Sequence, residues 1–122
     1  MMKVSRILSI CVAVMGLVHI VATFTPLIAN KLSMLEDSAQ GAFVYFSLMC
    51  GALLLVGGLI CFMLADKVSE YQFLRRPYSL LLSSIAIDGI LAVCYMPHNP
   101  FAWAIFVLAV ALAVAGFVSN KN

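Results

Sequence analysis

The sequence predicts an all-α fold, an integral membrane bundle of four transmembrane helices forming one domain over residues 1–122. Three observations predict it. Hydrophobic residues make up 65% of the chain and charged residues only 10%; mean hydropathy is +1.13; and the apolar residues fall into four long runs joined by short polar connections. That balance lies far from the composition of soluble domains. A soluble bundle keeps a polar face on each helix, whereas these runs are apolar all round, as contact with lipid requires.

A helix crossing the hydrocarbon core needs about 20 mainly apolar residues, which places the spans at roughly 7–29, 42–65, 78–96 and 101–119. The first run follows Lys3 and Arg6 and invites comparison with a secretory signal peptide. The run continues past Ala22 to Ala29 without a small-x-small cleavage pattern, and His19 interrupts it, so an uncleaved first helix is expected. Between the third and fourth spans, Pro97-His98-Asn99-Pro100 cannot continue a helix and forces a tight turn, making those two spans antiparallel neighbours. The basic residues set the expected orientation, because Lys and Arg of short connections stay on the cytoplasmic side. With both termini inside, Lys3, Arg6, Lys67, Arg75, Arg76 and Lys121 are cytoplasmic and only Lys31 is outside, beside Glu36 and Asp37. The expected location is a cell inner membrane. Tyr71, Phe73 and Tyr78 are expected at the inner interface and Phe43, Tyr45, Tyr95, Phe101 and Trp103 at the outer one, where amphipathic rings settle at headgroup level.

Cys11, Cys50, Cys61 and Cys94 all fall within spans and none forms a C-x-x-C pair. They read as small polarizable packing residues, not as a redox centre. Placing the polar and small residues on helical faces is more informative. Ser9, Val12, Gly16, His19, Thr23 and Pro26 form one stripe on the first span; Gln40, Val44, Ser47, Gly51, Leu54, Gly58 and Cys61 form one on the second; Leu81, Ser84, Asp88, Leu91, Tyr95 and His98 form one on the third. The fourth span presents Ala102, Ala109, Ala113 and Gly116. Lipid satisfies neither a hydroxyl nor a carboxyl, so all four stripes are expected to turn inward.

Asp88 is the only formal charge inside any span. A carboxylate at that depth costs several kcal/mol unless it is protonated or partnered. His19 lies twelve residues into its span and Asp88 ten into its own, so their levels differ by about 3 Å at 1.5 Å rise per residue. A contact between them, direct or through one water, is expected, although in an up-down bundle the first and third helices are diagonal and the pair must then span a central cavity. The candidate binding residues are accordingly His19, Asp88, Thr23, Ser84 and Tyr95.

Two readings of that centre stand side by side. One is a small-molecule or proton-coupled carrier in which His19 and Asp88 share a proton. The other is a non-catalytic accessory or structural subunit of a membrane complex in which the same groups fix helix register. Enzymatic function is disfavoured, since the chain has no phosphate-binding glycine pattern, no G-x-S-x-G and no H-E-x-x-H, and no catalytic residue is assigned. No cofactor is expected, nor a metal, because no close cluster of His, Cys, Asp or Glu supplies three or four ligands. The expected partners are the bilayer, a small lipophilic ligand, and a second copy or a larger membrane complex, with no nucleic acid. The stretch Gly16-Leu17-Val18-His19-Ile20-Val21-Ala22-Thr23, within four compact spans, resembles small bacterial membrane proteins described as DoxX-like; the resemblance implies the span layout and assigns no functional residue.

Overall fold

A computed structural model describes residues 2–121, with side chains through Ser119. The chain folds into α1 (Met2–Thr23), a short α2 (Pro26–Leu32), α3 (Asp37–Leu64), α4 (Arg75–Tyr95) and α5 (Pro100–Lys121), with a 3-10 turn at Gln72–Leu74 leading into α4; there is no strand among the described residues. Four of these helices are long and apolar enough to cross a membrane, an architecture compatible with a multi-pass membrane protein.

The first span is shorter than its apolar run suggests. α1 stops at Thr23, and Thr25 adopts an extended conformation (φ −76°, ψ 153°) before Pro26 opens α2. The proline ring disfavours helical backbone in the residue before it, so the helix breaks there although the run stays apolar to Ala29. At the other tight connection, Asn99 accepts a hydrogen bond from the Phe101 backbone N–H at 3.0 Å. Pro100 begins α5 where a missing N–H costs nothing, and the Trp103 indole donates to the Pro97 carbonyl at 2.9 Å.

The helices form a ring in which α1 lies beside α3 and α5, while α4 lies beside α5 and, with the slightest contact, α3. α1 and α4 therefore face each other across the diagonal. The α1–α3 contact is built on glycine. A Cβ at Gly58 would lie 2.7 Å from both the Ala13 nitrogen and the Ser9 carbonyl oxygen, and one at Gly16 would lie 2.7 Å from the Gly51 carbonyl oxygen. Two backbones thus touch directly, the arrangement that small residues permit between membrane helices. α4 and α5 pack in the same way, with Gly89 against Ala109 and Phe106, and Gly116 against Leu82 and Tyr78.

These contacts surround a core of Val12, Leu54, Cys61, Tyr78, Leu82, Ile85, Ile105, Ala109 and Leu112. The outward faces carry the large apolar side chains, among them Ile7, Val14, Val56, Met63 and Leu80. That inverted distribution is what a lipid surround stabilises. On α1, α3 and α5 the inward faces follow the expected stripes, with Ser9, Val12, Gly16 and Thr23; Gly51, Leu54, Gly58 and Cys61; and Ala102, Ala109, Ala113 and Gly116 buried, but Pro26, expected on the first stripe, opens α2 and is exposed. α4 is rotated. Its buried face is Tyr78, Leu82, Ile85 and Gly89, one position round from the expected stripe, and Ser84 is exposed, its hydroxyl donating to the Leu80 carbonyl of its own helix at 3.0 Å. A serine satisfied by its own helix has no need of the bundle interior.

The end of the bundle holding both termini is closed. Ser5 and Tyr78, both buried, are joined by a 2.9 Å hydrogen bond across the α1–α4 diagonal. Tyr78 is therefore a core hydrogen-bonding residue, not the interfacial anchor its position suggested. Arg6 forms a 2.8 Å ion pair with Asp66 in the α3–α4 connection and stacks 4.6 Å from the centre of the Phe62 ring. At this end these interactions tie α1 to both α3 and α4.

The glycine contact yields a direct prediction. Gly58→Val drives a branched side chain into the α1 backbone and should cost on the order of 1–3 kcal/mol, the usual penalty for overpacking. Gly41→Ala, where nothing lies within 4 Å, should instead stabilise α3 by about 0.5–1 kcal/mol through reduced chain entropy. Unfolding of the purified protein in mixed micelles, followed by circular dichroism, reads both; equal effects would show that α1 and α3 do not touch as described.

Candidate functional site: an intramembrane cavity between α3 and α4

Where α3 and α4 separate, beyond the closed end, a cavity of about 770 Å³ opens toward the loop end. Its floor is Leu54 and Ile105, the last members of the core in this direction. Phe43, Phe46, Ser47 and Cys50 form the α3 wall; Asp88, Leu91, Ala92, Tyr95 and Met96 form the α4 wall; His19 reaches in from α1. The volume is that of a small-molecule site, and so is the composition, a mainly apolar lining with a few convergent polar groups.

Each polar group is placed by its own helix. His19, one turn beyond Gly16, is carried to the α1–α3 seam by the glycine contact, where its Nε2 lies 3.1 Å from the Ser47 hydroxyl. Ser47 also lies 2.7 Å from the hydroxyl of Thr23, which in turn donates to the His19 carbonyl at 2.9 Å. Imidazole and two hydroxyls thus form a closed network that locks the ring at the cavity edge. On the facing wall Asp88 is half-buried. It lines the same cavity as Cys50 of α3 and His19 of α1.

The expected partners thus meet in a different way. His19 and Asp88 share one cavity near mid-span, across the diagonal, but form no direct hydrogen bond or ion pair; the imidazole is held by Ser47 instead. Of the remaining candidate residues, Tyr95 lines the cavity two turns from Asp88, Thr23 supports it from behind through Ser47, and Ser84 lies outside it on the exposed face of α4. His98 sits exposed in the turn between α4 and α5 and does not line the cavity.

Sequence reasoning did not single out Cys50, Phe43 or Phe46. Positions 43, 46, 50 and 54 recur at spacings of three and four, so they share one face of α3 beside the glycine stripe. The signal is present in that spacing, but the cysteine reads as packing and Phe43 as an interfacial ring, while Phe46 carries no reading of its own. Chemically, the arrangement offers a carboxyl, a thiol, an imidazole with one nitrogen engaged, and a phenol, set among aromatic and aliphatic walls.

Ser47 is the joint of the network. Ser47→Ala removes two interhelical contacts at about 0.6 kcal/mol each, the average for such bonds in membrane proteins, so a loss of roughly 1 kcal/mol is expected in the same unfolding experiment. Ser84→Ala, which breaks only a bond within α4, should change stability by less than about half of that. If the two substitutions act alike, the hydroxyl network does not hold α1 to α3. No family model matches this chain, and neither does any curated protein or solved structure.

Proposed function

We propose that this protein is a multi-pass protein of a cell inner membrane, with both termini cytoplasmic, that binds and carries a small lipophilic molecule in the cavity between α3 and α4, with His19 and Asp88 as its polar centre. The observation that carries this reading is the convergence of His19 and Asp88 on one apolar-walled cavity of about 770 Å³. A purely structural pair would be expected to bond to each other and fill the space between them. These two face an open volume.

The packing supports entry from the side. α1 with α3 and α4 with α5 are two pairs, each joined through glycine, and the pairs are tied at the terminal end by Ser5–Tyr78 and Arg6–Asp66. α3 and α4 make the slightest contact of the four neighbouring pairs, so the gap between them is where the bundle parts most easily. A ligand dissolved in the bilayer reaches the cavity through that gap without crossing water. Two titratable groups on facing walls provide the means to couple its passage to a proton. Placing both termini in the cytoplasm follows from the basic residues gathered at the terminal end.

The test is occupancy of the cavity by a neutral probe. With the protein in nanodiscs and empty nanodiscs subtracted, 8-phenyloctanol should bind saturably at one molecule per chain. Ala92→Trp, which places an indole in the α4 wall, should weaken that binding at least tenfold, whereas Gly41→Ala on the far side of α3 should leave it unchanged. Binding that survives Ala92→Trp would remove the cavity from the account.

A further inference from the structure

The chemistry of the cavity walls narrows the ligand, given the reading above that the cavity binds one. Among the described residues that line the cavity, Asp88 alone bears a formal charge, and none is a Lys or Arg. Arg6, Arg75 and Arg76 belong to the opposite, terminal end of the bundle, and Lys31, in the last turn of α2 at the loop end, does not line the cavity. The remaining group able to become cationic, His19, is held at the α1–α3 seam, its Nε2 3.1 Å from the Ser47 hydroxyl, and makes no ion pair with Asp88. An anionic ligand would therefore enter an apolar space whose one formal charge repels it, and a neutral ligand would leave that charge without a counter-ion.

Shape adds a second, independent constraint. Along α3 the lining runs from Leu54 to Phe43, about 16 Å at 1.5 Å per residue. Asp88 lies in the deeper part, facing Cys50, while Phe46 is about one turn and Phe43 and Tyr95 about two turns nearer the loop end. A polar head at Asp88 thus has an aromatic and aliphatic channel leading away from it toward the gap between the helices. Aromatic faces attract cations most strongly where water is excluded, so the same rings that accept an apolar body also favour a positively charged head on its way in.

We infer that the ligand is an amphiphilic amine, with its ammonium group paired with the Asp88 carboxylate and its hydrophobic body lying between Phe46 of α3 and Tyr95 of α4. The titratable groups facing Asp88 are His19 from α1, Cys50 from α3 and Tyr95 from its own helix; α5 contributes only Ile105 to this cavity. Cys50 lines the α3 wall of the same cavity and carries no charge that would compete with the ammonium for the carboxylate.

Three probes sharing one body and differing only in the head group decide the matter: 8-phenyloctylamine, 8-phenyloctanol and 8-phenyloctanoate, each measured at neutral pH on protein in zwitterionic nanodiscs with empty nanodiscs subtracted. The amine should bind at least tenfold more tightly than the alcohol, and the carboxylate more weakly than either. Asp88→Asn should bring the amine-to-alcohol ratio from tenfold or more to near one, whereas Gly41→Ala, outside the cavity, should keep the wild-type ratio. Equal binding of amine and alcohol to the wild type, or preferred binding of the carboxylate, overturns the amine assignment and leaves a cavity for other lipophiles. No saturable binding of any of the three overturns the cavity reading and the amine together. The wild-type ratio of amine to alcohol decides by itself should Asp88→Asn not fold.

Discussion

The backbone contact between α1 and α3, made through Gly16, Gly51 and Gly58, sets the positions of the groups that matter. In a bilayer there is little hydrophobic drive to bring one apolar helix to another, so close packing of small residues takes its place. Once α1 lies against α3, His19 is one turn from Gly16 and falls beside Ser47, while Thr23 is a further turn on and closes the network. A side chain larger than hydrogen at any of the three glycines would push the helices apart and carry the imidazole away from the hydroxyls. The cavity edge on this side is therefore a consequence of glycine placement well below it.

The other half of the bundle follows the same rule with less polar content. Gly89 and Gly116 bring α4 against α5, and the buried face of α4 is otherwise Tyr78, Leu82 and Ile85. Two tight pairs meeting through a shared core leave the α3–α4 seam as the weakest in the ring. At the terminal end that seam is bridged by the short α3–α4 connection and held by Ser5–Tyr78 and Arg6–Asp66. At the loop end no hydrogen bond or ion pair joins α3 to α4 among the described residues, and the contiguous core cluster reaches only Leu54 and Ile105. The wedge between the pairs is the cavity.

Much of this was legible in the residues. Run length placed four helices, and the small-residue stripes of α1, α3 and α5 turned inward as their composition implied. Two features resisted. The first helix ended early because Pro26 constrains Thr25, a local backbone effect that hydropathy does not register. The expected face of α4 differs from the buried one because the stripe through Ser84, Asp88 and Tyr95 is taken as inward on its polarity. Ser83 and Ser84 each satisfy their hydroxyls within α4, so neither constrains the rotation; bulk and shape at Tyr78, Leu82, Ile85 and Gly89 do. With that rotation Asp88 moves from the centre of the bundle to the cavity wall, which is why it meets Cys50 and the open volume instead of bonding directly to His19. The shared depth of His19 and Asp88 was readable from spacing alone, but the space between them depends on how two helix pairs splay, and no single helix carries that information.

The central claim is that a lipophilic molecule reaches the interior from the bilayer through the α3–α4 seam. Hydrophobic photolabelling of the membrane-embedded protein, with a phenyldiazirine-bearing alcohol and peptide mapping of the adducts, tests it most directly. The account predicts saturable adducts concentrated on Phe43–Leu54 and Asp88–Met96, competed away by excess unlabelled alcohol, over a weak background on lipid-facing residues such as Ile7 and Val14. Adducts spread evenly over the outward faces of all four spans, with none that can be competed, would contradict it.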